Sequence, residues 1–327
     1  MPLNDDDLDR LLRGANPART PVDATPDFAL LDRILSDAPR AKFRRAPFAF
    51  VAAPIAAVLV AVLAFVLTSP FGQSPAAAYG PPPLQWTPTQ QSLPEVAAMA
   101  HERLARAAGA EAAVRASTVT GWNLSVNEAG EPDEVSSISP LVTELTWNED
   151  LTGSRVVTAG RPFPVEGNSL PSDAVAEGTV IDVMEFGPGE YPALAPDAGT
   201  LNAAGFRDLL AAYAPADAGS KAGDAMLGIA DILGEWTLTN AQHGYLLDAL
   251  LQYDGLTVLG TTEDRLGRKV IGLRSDAALR PSETTTLIIS AETGRIVGME
   301  TAASGNDASV PVPIGTVINY NLWKDSE

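Results

Sequence analysis

The chain has 327 residues, 41 of them acidic and 22 basic, for a net charge of −19, and it contains no cysteine. The missing cysteine excludes disulfide frameworks, thiolate metal sites and cysteine nucleophiles. The charge argues against a protein whose main task is to grip nucleic acid, and a mean hydropathy of +0.05 is too low for a bundle of membrane spans.

Residues 1–45 balance eight acidic against eight basic side chains, so the other 33 acidic and 14 basic ones, and all of the −19, lie beyond them. This first stretch predicts a tail with two short helices. In the first, Asn4 caps, the aspartates after it favour the positive end of the helix dipole, Leu8, Leu11 and Leu12 form an apolar stripe, and Gly14 ends it. In the second, Thr25 caps, Pro26 takes the first turn, and Phe28, Leu31, Ile34 and Leu35 form the stripe before Pro39. Each is shorter than the roughly 12–15 residues an isolated helix needs in water. Such stripes need another surface, and a groove on a partner protein suits them.

Residues 46–67 carry no charged or strongly polar side chain. As a helix at about 1.5 Å per residue they reach across the roughly 30 Å hydrocarbon core of a bilayer. Arg40, Lys42, Arg44 and Arg45 stand directly before the stretch, and the next basic residue is Arg103. The excess of positive charge on one flank puts the N-terminus in the cytoplasm and the C-terminus outside. A cleaved signal peptide using Ala76, Ala77 and Ala78 competes with this reading, but its basic and apolar regions would both be unusually long.

Residues 68–92 are rich in Pro, Gln, Ser and Ala and read as a spacer, with Trp86 inside it. Residues 93–327 are long enough for one sizeable core. Ser92 and Glu95 form a capping-box pattern, followed by the stripe Val96, Met99, Ala100, Leu104 and Ala107, with Gly109 as a stop. Partial alternation predicts strands over 114–126, 134–147, 155–158 and 179–185, with a turn at 148–153. Three amphipathic helices follow over 201–213, 225–236 and 241–253, with Gly255 past the last. Strands return at 256–261, 269–274, 284–290, 295–301 and 313–323, and Glu292, Thr293 and Gly294 mark a hairpin turn. Helix, strands, helices, strands in that order imply an α+β fold, a largely antiparallel sheet with helices on one face.

Several stretches carry a family resemblance: the tail DLDRLLRGANP (residues 7–17), the basic-flanked span, LGIADILGE (227–235), TTEDRLGRKVIGL (261–273) and LIISAETGRIVGME (287–300). On these the chain resembles the CU044_5270 family of actinobacterial single-pass membrane proteins. The resemblance implies a membrane-tethered protein acting beside an extracytoplasmic-function sigma factor. The element order of the outer domain also resembles the lipoprotein-carrier half-barrel, a curved antiparallel sheet closed by helices; such a likeness speaks to fold rather than function.

Catalytic patterns are sparse. The two histidines, His101 and His243, have no partner at zinc-ligand spacing. No G-x-S-x-G elbow, Walker loop or G-x-G-x-x-G is present, so no cofactor is expected. Arg265, Arg268 and Lys269 form the one basic cluster beyond the span and read as a hairpin turn, or more sharply as an anion site. Trp122, Trp147, Trp236 and Trp323 are expected to fill the core. The expectation is a non-enzymatic, membrane-anchored binding or signalling protein. An anchored hydrolase and a lipid or lipoprotein carrier are the alternatives.

Overall fold

A computed structural model describes residues 79–126, 135–165, 168–215, 219–305 and 312–325, all within one unit, Gln73–Glu327. Both expected tail helices and the stretch 46–67 lie outside the described residues. Among the described residues no helix is long and apolar enough to cross a membrane.

The first helix, α1 (Leu93–Leu104), starts where its capping box predicts: Glu95 Oε2 accepts from both the amide and the hydroxyl of Ser92, each at 2.7 Å. It ends short of Gly109, because Asn240 Nδ2 takes the carbonyls of Leu104 (3.0 Å) and Ala107 (2.8 Å) that further turns would need.

Strands β1 (Ala116–Asn123), β2 (Ser137–Ile138), β3 (Leu141–Trp147), β4 (Gly153–Ala159), β5 (Phe163–Pro164) and β6 (Val180–Phe186) follow. The single strand expected over 134–147 is broken in two, since Pro140 has no amide to give a ladder; β2 instead pairs with β5 in a separate two-stranded sheet. The turn at 148–153 forms, with Asn148 N donating to Thr152 O at 2.8 Å.

Three helices come next. Asn202 caps α2 (Ala203–Tyr213), accepting from Ala204 N and Gly205 N. In α3 (Ala222–Glu235) Asp224 accepts from Lys221 N at 2.8 Å, and in α4 (Asn240–Leu250) Gln242 accepts from Thr239 N at 3.0 Å. The run closes with β7 (Thr257–Glu263), β8 (Lys269–Asp276), β9 (Glu283–Ser290), β10 (Ile296–Ala303) and β11 (Val317–Trp323), the turn at Glu292–Gly294 joining β9 to β10 as expected.

Nine strands form one antiparallel sheet in the order β6-β4-β3-β1-β11-β10-β9-β8-β7. The fold is thus α+β with a large antiparallel sheet, and the sheet does not close into a barrel: β6 and β7 stand at opposite ends. The first and last strands, β1 and β11, meet in its middle, with Val119 opposite Trp323.

Period-two alternation gives the sheet two distinct faces. On one, Ile271, Leu273, Leu287, Ile289, Met299 and Trp323 join Met226, Ile229, Ile232, Leu246 and Leu250 from the helices in one apolar cluster. On the other, Val270, Ile288, Val297, Val317, Tyr320 and Leu322 form a second cluster that no helix of the described residues covers; Leu84, Trp86 and Trp122 pack on it instead. Leu250 is fully buried, so Leu250→Ala is expected to cost about 2–5 kcal/mol, read from the urea midpoint. A loss below about 1 kcal/mol would place Leu250 outside the core.

Candidate functional site

This second face owes its cover to a strap. Residues 81–87, read from sequence as part of a spacer, cross the sheet there and are tied to it along their length. Arg265 Nη2 donates to Pro82 O at 2.9 Å, the Leu84 amide donates to Glu300, and Thr262 Oγ1 donates to Gln85 O at 2.7 Å. Thr87 then bridges Thr261, donating at 2.8 Å and accepting at 3.0 Å, which covers part of the β7 edge.

Two glycines make room for this. A Cβ on Gly272 would stand 2.6 Å from the Trp86 ring, so the indole lies on bare backbone. Gly260 sits at φ +111°, beside a register shift in β7, with the Thr87 carbonyl where a Cβ would go. Such a φ is costly for any residue with a side chain.

Beneath the strap, strand register lines up Arg274, Thr286, Glu300, Tyr320 and Trp122 across β8, β9, β10, β11 and β1. Arg265 reaches this row from the β7–β8 hairpin. Asp264 shapes the hairpin tip, accepting from Leu266 N, Arg268 N and Arg268 Nε. Arg268 anchors the tip by donating to the carbonyls of Trp323 (2.7 Å) and Val297 (2.9 Å). Arg265 thereby lies over the Tyr320 ring, 4.9 Å from its centroid, and pairs with Glu300; both side chains are about nine-tenths buried. The basic cluster thus forms the expected hairpin turn and also supplies a buried cation.

Burial pushes the Glu300 carboxyl above the usual carboxylate range, against the opposing pull of Arg265 and of the Leu84 amide. Burial also pushes the Tyr320 phenol up to about 12. Beside the strap a cavity of about 630 Å³ opens over Tyr320 and Leu322, walled by Pro140, Val142, Phe163 and Leu266. Arg265 and the exposed Arg161–Glu177 pair (3.0 Å) also line it. A second cavity of about 350 Å³ lies on the other flank of the strap, beside Leu84, Trp86 and Glu300.

Other charged clusters serve the scaffold. Arg295 joins Asn240, Ala108 and Asp325, and so ties α1, α4 and the residues after β11 together. Arg115 pairs with Glu235 while lying 4.0 Å from the Trp147 ring centroid. His101 meets Asp248 of α4 at 2.8 Å. Burial lowers the pKa of His243 to about 3, so it stays neutral. Among the described residues no His, Asp and Glu cluster could hold a metal ion.

The partner-binding residues predicted for the tail (Leu8, Leu11, Leu12, Phe28, Leu31, Ile34 and Leu35) and the basic flank (Arg40, Lys42, Arg44 and Arg45) lie outside the described residues. Sequence reasoning missed Glu300, Tyr320 and the role of Trp86. Glu300 did leave a trace: it is the one charge in the otherwise apolar or small strand IVGMETAA. Compared with known proteins, the chain matches no family model and no curated sequence.

Arg265→Ala is expected to cost about 3–5 kcal/mol, because it leaves the Glu300 carboxylate buried and unpaired; denaturant titration reads the loss. A second outcome follows from pH. The folded state holds the Glu300 proton more tightly than the unfolded chain does. Its contribution is therefore fully present below about pH 4.5 and is lost as pH rises through the folded-state pKa. His243 has the opposite slope, so the comparison is between wild type and Glu300→Gln: the stability of wild type relative to the variant should fall as pH rises above 4.5. A difference that stays level or grows would refute the burial argument.

Proposed function

We propose that this is a single-pass membrane-anchored binding and signalling protein. Residues 46–67 cross the bilayer once, residues 1–45 lie in the cytoplasm, and the sheet domain is extracytoplasmic. The tail stripes engage a cytoplasmic protein such as a sigma factor, in line with the family resemblance of the sequence. The observation that carries the signalling reading is the clasped strap. It follows the apolar stretch in the chain, and it is hydrogen-bonded to the sheet from Pro82 to Thr87. A change on this face of the sheet would move the strap with it, where a slack linker would dissipate the change.

The cavity over Tyr320 favours a second reading, a half-barrel-like carrier of an apolar ligand. Among the described residues no assembled nucleophile and base supports the hydrolase alternative.

Topology is tested by a reporter active only outside the cytoplasm: fused after Glu327 it should be active, and fused after Arg40 silent. The reverse pattern would sink the topology. Replacing Leu11, Leu12, Leu31 and Ile34 by Asp should abolish a co-purified cytoplasmic protein while leaving insertion intact. Recovery of the same proteins with wild type and variant would remove the tail from the signalling scheme.

A further inference from the structure

We infer that the cavity over Tyr320 binds a singly charged anionic amphiphile, its head group at Arg265 and its apolar body against Pro140, Val142, Phe163 and Leu322. The inference deepens the binding reading above and rests on it.

Size is the first argument. About 630 Å³ is in the range that holds a small organic ligand, roughly 300–1,000 Å³. Lining is the second. The walls are mainly aliphatic or aromatic, with a few charged groups at fixed places, the usual build of a site that grips a body and orients a head.

Charge is the third. Two arginines and one glutamate line the cavity, and each arginine already has a carboxylate partner, Glu177 for Arg161 and Glu300 for Arg265. Arg161 at the mouth is exposed and spends its Nε on Glu177. Arg265 is buried, its Nη2 serves both Glu300 and Pro82 O, and its Nε has no hydrogen-bond acceptor among the described residues. A buried guanidinium N–H without an acceptor is costly, and a negatively charged oxygen is a stronger acceptor for it than a neutral one. A neutral apolar molecule would leave it unpaired. A second full negative charge would meet Glu177 at the mouth and Glu300 behind Arg265, so one charge is the better match.

The same arginine holds the strap, so a head group at Arg265 competes with Pro82 O and Glu300. The strap then reads whether the cavity is filled.

The test uses the full chain in phospholipid nanodiscs, titrated calorimetrically with decanoate and, separately, with decanol, against empty nanodiscs. Decanoate should bind saturably with one site per chain, and decanol at least about tenfold more weakly. Leu266→Trp places a large ring at the mouth from an exposed hairpin position and should weaken decanoate by about tenfold or more. Arg161→Gln leaves the wall intact and should weaken decanoate while leaving decanol unchanged. Absence of saturable binding, binding indifferent to Leu266→Trp, or equal affinities for decanoate and decanol would each overturn the inference. Nanodiscs with and without phosphatidylglycerol separate a free amphiphile from a bilayer lipid. Unchanged decanoate affinity supports the free ligand, and its loss in the anionic discs would overturn it. The reporter fusions do not depend on this titration, so failure of the topology and failure of the site are distinguishable.

Discussion

The buried pair Arg265–Glu300 is the interaction on which the second face of the sheet depends. Two charges out of water are stable there only if their remaining hydrogen-bonding capacity is used. The strap uses part of it: Pro82 O accepts a hydrogen bond from Arg265, and the Leu84 amide donates one to Glu300. In return the pair satisfies backbone groups that a proline-rich segment cannot satisfy within itself. Ion pair and strap are thus mutually required, and each constrains the sheet beneath. Gly272 has to be bare for the Trp86 ring to approach the backbone, and Gly260 has to adopt its positive φ for the Thr87 bridge to close.

This arrangement divides labour between the two faces. On the helix side, α3 sits at the centre and packs against β1, β8, β9 and β11, so apolar area fixes the scaffold. On the strap side the apolar cluster is smaller, and polar contacts decide the arrangement. Charge-assisted contacts in a low-dielectric setting are more sensitive to pH and to competing ligands than apolar packing is. The face that carries the cavity is therefore also the face best suited to respond. Edge protection differs between the ends of the sheet as well. The strap covers part of β7, whereas β6 leaves Val180, Ile181 and Val183 exposed at the other end.

The helices and most strands were legible because apolar stripes at helical spacing, and alternation in the later strands, follow directly from which side faces the core. Hairpin signals at Glu292–Gly294 and at the Arg265 cluster were local and held. The break at Pro140 was legible in principle from the missing amide, though the flanking β-branched residues outweighed it. The strap was not legible. Its composition matches a spacer, and what fixes it are partners 174 (Thr87 to Thr261) to 216 (Leu84 to Glu300) residues further along the chain, which no local pattern announces. The cavity is hidden for the same reason: Val142, Phe163, Leu266 and Tyr320 come together only once β1 and β11 pair in mid-sheet and the β7–β8 hairpin is tied down. The charge of Glu300 within a buried strand was the one local sign of the ion pair beneath the strap.

The central claim, that residues 81–87 are a fixed strap and not a slack tether, is tested most directly by hydrogen exchange at the Leu84 amide in the full chain. The account predicts slow exchange, protected to the same order as the amides of β10, and a marked loss of protection in Glu300→Gln. Exchange at the rate of an unstructured peptide in the wild-type protein would contradict it.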